Sequence, residues 1–325
     1  HLLKDLSSEI RAGSFDIGQM KPVKINKPGK SEKRKLFLAN IETRWVERAI
    51  VQTIRPLFER EFLEYSMGGR PNRCPRMALE YAQTIMRARE YGVWLVFDVR
   101  RAFDNIPRSQ LFEVMRKRLH DSAICDLIER LVEVKGIKRG IRQGSSISPL
   151  LMNLYADHFF DKWWQQQHPD VPMVRYIDDI AIFCRSETEA VALYGESKSK
   201  LLAAGLPIKE SLDEALCMLS DGKTANWLGV QCSMSDHGLQ FRLTEKAWSS
   251  LAERVERCIL EKKSSEQFDS LISGWINSYS IAITGNELAI AFRRLFRIYR
   301  TYLGQQENNP DLIESASDVK DFSFS

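Results

Sequence analysis

The sequence predicts an α+β protein with an all-helical lobe toward its C-terminal end. Three observations predict it. Val93–Val99 is a short, almost wholly apolar run rich in β-formers, the pattern of a buried central strand. Val171–Tyr176 and Ile180–Cys184 are two more apolar runs around Asp178-Asp179, the pattern of a β-hairpin with two acids at its tip. Beyond them, three sets of apolar residues keep helical spacing instead: Ala247, Leu251, Val255, Cys258 and Ile259; Phe268, Leu271, Ile272, Trp275 and Tyr279; Leu288, Phe292, Leu295, Phe296 and Tyr299.

The remaining elements follow in order. Lys21, Lys24, Lys27, Lys30 and Lys33 recur every third residue and lead into Arg34 and Lys35. Pro22, Pro28 and Gly29 break this stretch, so it reads as an extended loop or hairpin and not a helix. A helix covers about Trp45–Tyr65, and Gly68-Gly69-Arg70-Pro71-Asn72 is a turn. A second helix runs from about Pro75 to Tyr91 and stops at Gly92. Helices follow over Ser109–Leu119 and Ile124–Val134, and a glycine-bearing loop at Gly140–Ser146 feeds a helix from about Pro149 to Trp164. Thr188–Ala204 is helical and ends at Gly205, with strands near Ala215–Leu219 and Trp227–Cys232. On the last helix Arg293, Arg297 and Arg300 share the face opposite the apolar one.

With 325 residues, 44% hydrophobic and 28% charged, the chain can bury a substantial core in two or three lobes. Disordered, collagen-like and disulfide-stapled classes are excluded. No apolar run approaches the roughly eighteen residues of a membrane span, and nothing reads as a secretion signal. The six cysteines show no C-x-x-C spacing and suit free thiols in a reducing cytoplasm. The net charge of +4 combines a body at +8 with an acidic tail at −4 from Gln305 onward. The basic body permits a polyanionic partner.

Three acids stand out against this background. Asp98 ends a buried-looking strand, and Asp178 and Asp179 sit side by side between apolar strands. Each has an ordinary explanation alone, a strand-end cap or a surface turn. An unpaired carboxylate beside a core is costly and the adjacent pair repel each other, so a cation is the natural compensation; sequence alone does not place Asp98 beside that pair. Acids at the ends of central strands are what a two-metal site requires, with ions roughly 3.5–4 Å apart clamping an in-line phosphoryl displacement.

The ordered series of motifs resembles a reverse transcriptase of the group II intron-like lineage. Phe97-Asp98-Val99-Arg100-Arg101-Ala102-Phe103-Asp104-Asn105-Ile106 is similar to the first-aspartate motif. Arg142-Gln143-Gly144-Ser145-Ser146-Ile147-Ser148-Pro149-Leu150 is similar to the Q-G-x-x-x-S-P loop, and Tyr176-Ile177-Asp178-Asp179 to the Y-x-D-D hairpin. Lys27-Pro28-Gly29-Lys30 with Arg34 resembles the fingertip motif, and Ser66–Pro71 the next block. Trp227-Leu228-Gly229-Val230 resembles the primer grip, and Gly274–Tyr279 the thumb.

The resemblance implies a right-hand polymerase fold: fingers and a palm with antiparallel sheet over residues 1–235, an α-helical thumb over 236–304, and an acidic tail over 305–325. It implies RNA-directed DNA synthesis with two Mg²⁺ ions. Asp98, Asp178 and Asp179 would be catalytic, with Val99 beside them among the metal ligands. Lys27, Arg34, Phe103, Gln143 and Gly144 would form the nucleotide pocket, with Phe103 as the gate against a ribose 2′-hydroxyl. Lys30, Arg70, Tyr176, Arg293, Arg297 and Arg300 would contact nucleic acid. The partners implied are an RNA template, a DNA or RNA primer, dNTPs and a structured non-coding RNA.

The sequence departs from the family pattern in places. Leu212 stands where the fifth block usually has lysine, with Lys209 the candidate substitute, and Gly69 replaces a frequent aromatic. Ser148-Pro149 disfavours the diversity-generating branch, and the absence of Val-Thr-Gly near Trp227 disfavours the retron branch. The expected setting is a prokaryotic cytoplasm; a short stand-alone enzyme of this lineage resembles the defence-associated group that acts against phage, and the same core also occurs in intron maturases and CRISPR-linked fusions. The rivals are template-independent nucleotidyl transfer and a maturase-like RNA-binding cofactor.

Overall fold

The structure, a computed structural model, describes residues 2–27, 30–87, 91–133, 139–261, 263–284 and 286–306. In chain order its elements are α1 (Leu2–Arg11), β1 (Lys21–Lys27), β2 (Lys30–Leu38), α2 (Ile41–Glu59), α3 (Pro75–Arg87), β3 (Val93–Asp98), α4 (Ala102–Asn105), α5 (Arg108–Arg118), α6 (Ser122–Val132) and α7 (Ser148–Ala156). After a π-turn at Asp157–Asp161 come α8 (Lys162–Gln167), β4 (Met173–Tyr176), β5 (Asp179–Cys184), α9 (Glu187–Ala203), α10 (Leu212–Ala215) and β6 (Leu216–Met218). The rest are β7 (Ala225–Trp227), β8 (Val230–Ser235), β9 (Gly238–Leu243), α11 (Glu245–Leu260), α12 (Ser265–Tyr279) and α13 (Asn286–Gln306). The chain divides into two compact units. One takes residues up to Ile25, Lys33–Arg73 and Val93–Leu216; the other takes Asn26–Glu32, Cys74–Gly92 and the chain from Cys217 onward.

In the first unit β4, β5 and β3 lie side by side in that order, all antiparallel. Their apolar runs are buried on both faces, which is why they read as continuous and not alternating. Trp94 and Phe183 are directly paired across the strands, and their rings meet edge to face at 4.8 Å. α9 covers this sheet, with Tyr194 edge-on to Phe97 at 6.2 Å. Ser186 starts α9 by accepting the N–H of Glu189, and Asp121 starts α6 by accepting that of Ile124. α7 is buried nearly all round, so it shows no apolar stripe and lies inside the unit. The helix expected from Pro149 to Trp164 exists, but its centre is the π-turn, a register change that no residue type announces.

The second unit holds a three-stranded antiparallel meander, β7-β8-β9, and three long helices. The single strand expected over Trp227–Cys232 is a correction. Leu228 and Gly229 both take left-handed backbone and turn the chain between β7 and β8. β9 follows with Leu239, Phe241 and Leu243 inward and Gln240 and Arg242 outward. The three expected helices are present as α11, α12 and α13. Trp248 of α11 packs on Trp275 of α12 at 4.8 Å, and the Arg294 guanidinium of α13 lies 5.0 Å from the Trp248 ring while pairing with Glu245. Phe296, placed by its spacing on the packing face, is instead 62% exposed.

All six cysteines are free, with Cys125, Cys184, Cys232 and Cys258 buried. Burial pushes the Cys184 thiol up to about 12, which keeps it protonated and unreactive at neutral pH. No helix among the described residues is long and apolar enough to cross a membrane. Trp94→Ala removes a fully buried ring from the β4-β5-β3 sheet. It should lower unfolding stability by about 3–5 kcal/mol, read as a shifted midpoint in guanidinium titration.

Candidate active site

The strand register brings the three acids together. Asp98, at the end of β3, is paired directly with Asp179 at the start of β5. Antiparallel partners have Cα atoms about 4.5–5.5 Å apart. The Val99 N–H donates to the Asp178 carbonyl at 2.9 Å, so the pairing runs one residue beyond the strand. Tyr176, on β4, faces Asp179 from the other side. Val99 has a buried side chain and can offer a cation only its backbone carbonyl.

Lys209 also reaches this locus. Its Nζ is 3.3 Å from Asp98 Oδ2 and also binds the Glu210 carboxylate. Glu210 Oε2 accepts the Asp98 N–H at 2.7 Å, and the Glu210 carbonyl accepts the Tyr194 hydroxyl at 2.7 Å. Burial alone would lower the Lys209 ammonium, but Glu210 and the charge on Asp98 outweigh it and raise the group above the ordinary lysine value. The ion pair with Asp98 is partly exposed, so its contribution to stability is small. Among the described residues no three acid, His or Cys side chains are gathered into a ready-made metal cage, and the Asp98 carboxylate faces Lys209 instead. The donors are nonetheless carboxylate oxygens, the type a hard divalent ion takes, and the locus already accepts a cation. The residues therefore fit a divalent metal.

Behind the acids lies a buried arginine that sequence reasoning missed. Arg175 of β4 is 1% exposed. Its guanidinium forks onto Asp161 at 2.8 and 2.6 Å, donates to Asn153 Oδ1 and the Ile177 carbonyl at 2.9 Å, and donates to Ser66 Oγ. Asn153 returns a bond to the Gly68 carbonyl at 2.8 Å. Ile177, between Tyr176 and Asp178, has φ 62°, unusual for a β-branched residue. Gly68 lies so close behind it that a Cβ there would sit 2.4 Å from the Ile177 nitrogen. An arginine inside an apolar strand was the available signal, the same kind of misfit that drew attention to Asp98.

A second buried arginine organises the nucleotide-pocket candidates. Arg142 pairs with Glu47 of α2 and donates to the carbonyls of Phe37 at 2.9 Å and Leu131 at 3.1 Å. Burial lowers its guanidinium to about 10, still charged at neutral pH. The adjoining Gln143 carbonyl accepts the Phe37 N–H at 2.9 Å, and its side-chain amide donates to Asp104 at 3.0 Å. Gly144 has φ +102° and passes close to the Phe37 carbonyl, room that a side chain would fill. The Phe103 carbonyl accepts the Ile141 N–H at 2.7 Å. Gln143 and Gly144 thus lie against the stem of β2, and their loop is tied to Phe103 and Asp104 through Ile141 and Gln143.

Other candidates fall differently. Lys27, Lys30 and Arg34 lie on the backbone of the β1–β2 pair, and their side chains are outside the described residues. Arg70, expected on nucleic acid, is a correction. Its side chain is 6% exposed, pairs with Glu59, donates to the carbonyls of Leu63 and Ser66 at 2.7 Å, and lies over the Phe62 ring. It serves to hold the turn that carries Gly68. Arg293 and Arg300 are exposed on α13, with Arg297 half-buried between them.

An antiparallel sheet carrying acids at a hairpin tip and at the facing strand end, with the glycine loop beside it and a helical lobe after it, defines a right-hand polymerase. Residues 25–232 match the reverse transcriptase (RNA-dependent DNA polymerase) family, and the chain belongs to that family. It is 27% identical over 175 residues to the COX1/OXI3 intron 2 protein of Saccharomyces cerevisiae, covering 51% of this chain and 20% of that one. It is 22% identical over 242 residues to the group II intron-encoded protein LtrA of Lactococcus lactis subsp. cremoris, covering 70% of this chain and 40% of that one. The chain thus spans only part of these relatives' length. Telomerase from Candida albicans, solved in complex with a TWJ fragment of telomeric RNA, superposes with TM-score 0.49 at 11% identity over 93% of this chain and 60% of that one, too loosely to bear on function.

Two glycine substitutions test the packing behind the hairpin. Gly68→Ala drives a methyl group into the Ile177 backbone and should lose about 1–3 kcal/mol in urea unfolding. Gly195→Ala, inside α9 with open space around it, should gain about 0.5–1 kcal/mol in the same measurement.

Proposed function

We propose that this chain is an RNA-directed DNA polymerase that adds dNTPs to a primer 3′ end on an RNA template. The single observation that carries this is the register pairing Asp98 with Asp179, with Asp178 hydrogen-bonded beside them at Val99. The carboxylates of Asp98, Asp178 and Asp179 and the backbone carbonyl of Val99 would hold two Mg²⁺ ions. Such ions, when bound, lower the pKa of the primer hydroxyl and stabilise charge on the leaving pyrophosphate.

The chain's own groups do the rest. Lys27 and Arg34 clasp the incoming triphosphate, Arg34 by its fork and Lys27 as a point charge. Gln143 and Gly144 shape the pocket, Gly144 by admitting substrate close to backbone. Phe103 stands against the sugar and excludes a 2′-hydroxyl. Lys209, already beside Asp98, is the ammonium available to protonate pyrophosphate in place of the lysine replaced by Leu212. Lys30 and Tyr176 contact the nucleic acid near the primer end. Arg293, Arg297 and Arg300 grip its backbone, with exposed Phe296 supplying a ring for stacking. A prokaryotic cytoplasm is the proposed location and antiphage defence the proposed role, with a structured non-coding RNA as a partner.

Primer extension on a defined RNA is the test. Wild-type protein should copy the template from dNTPs, and Asp178→Asn should reduce extension about a thousandfold, or about 4 kcal/mol on the barrier. Homopolymer made without template would replace this with nucleotidyl transfer. In the same assay Phe103→Ala should raise use of NTPs relative to dNTPs by roughly tenfold or more.

A further inference from the structure

We propose that the Arg175–Asp161 ion pair is a positioning device for the aspartate hairpin, and that it sets how tightly the acids hold divalent cations. The proposal rests on Asp178 and Asp179 being metal ligands. Arg175 stands three residues before Asp178 and spends all five of its N–H donors inside the protein. One of them goes to the Ile177 carbonyl, the peptide that leads into Asp178. The peptide before it, between Tyr176 and Ile177, packs against Gly68, whose own carbonyl is tied through Asn153 to the same guanidinium. The left-handed turn at Ile177 is therefore gripped on both sides by one network.

The π-turn aims the carboxylate. In an α-helix residues four apart share a face. Here Asp157 pairs with Arg118 on α5 and with Lys162, while Asp161 pairs with Arg175 on β4. Tyr65 adds a bond from its hydroxyl to the Asp161 carbonyl at 2.9 Å, fixing the turn itself. A buried ion pair is a poor way to gain stability alone, since apolar residues of the same volume do as well. A fork that orients one peptide is something apolar residues cannot supply. Neither Arg175 nor Asp161 is among the proposed metal ligands, so both act through the hairpin.

The test is Mn²⁺ binding to the full chain without nucleic acid, followed by electron paramagnetic resonance. Asp161→Asn and Arg175→Lys should each weaken Mn²⁺ binding about tenfold or more, the range for groups that orient metal ligands. The Mg²⁺ concentration for half-maximal extension should rise by a similar factor, with KM for dNTP little changed. Arg175→Lys keeps the charge and loses the fork, so a loss there assigns the effect to geometry. Glu47→Gln breaks the other buried guanidinium pair and should lower thermal stability while leaving Mn²⁺ affinity unchanged. Circular dichroism sets all comparisons at equal folded fraction. Wild-type affinity in Asp161→Asn, or equal weakening in Glu47→Gln, overturns the proposal. If Asp161→Asn does not fold, Ser66→Ala removes one bond of the network and should give a smaller shift in the same direction; no shift overturns it. A wild-type protein that binds Mn²⁺ but extends no primer defeats the polymerase assignment and leaves this one standing. Asp178→Asn that binds Mn²⁺ normally defeats the metal site itself.

Discussion

The guanidinium of Arg175 is the interaction on which the palm depends. Five parts of the chain meet at it: β4, which bears it; the hairpin peptide at Ile177; the π-turn through Asp161; α7 through Asn153; and the loop after α2 through Ser66. A charge this deep must be paired and fully hydrogen-bonded, and here it is. Removing any partner leaves charge or polarity stranded in a low-dielectric interior. The local fold therefore admits few alternatives, and the least comfortable backbone in it sits where the acids emerge. Strain of this kind persists where its surroundings over-determine it.

Arg142 repeats the solution on the other flank. It too is fully buried, pairs with one acid and donates to two backbone carbonyls. Arg175 backs the acid-bearing hairpin, and Arg142 anchors the start of the glycine loop. Front-facing groups differ. Asp98 and Lys209 are partly exposed and Phe103 is half-buried. Rigid support behind and exchangeable contacts in front is the division of labour a site needs if ions and nucleotides are to enter and leave.

Much of this was legible in the sequence. The strand bearing Asp98, the acid-tipped hairpin and the three late helices all showed as hydrophobic periodicity, because burial on one stripe or on both faces writes itself into residue type. What stayed hidden did so for physical reasons. The π-turn over Asp157–Asp161 uses residues that suit an ordinary helix, and its register follows from tertiary partners on α5 and β4. Arg70 was expected on nucleic acid, and a basic residue in a glycine turn carries no mark of its burial; Glu59 and two carbonyls hold it inside. The turn at Leu228-Gly229 was masked by Leu228, which adopts a backbone that leucine rarely takes. β9 was readable, since its apolar residues alternate strictly, but it is brief and follows a turn.

The close approach of Gly68 to Ile177 has a historical consequence. A Cβ at Gly68 would meet the backbone and the Cγ1 of Ile177, so the first position cannot enlarge without the second giving way. Distant in sequence, the two segments should be inherited as one. Relatives that enlarge the first position must have reshaped the second, and chimaeras that join a loop from one lineage to a hairpin from another should fail at this contact first.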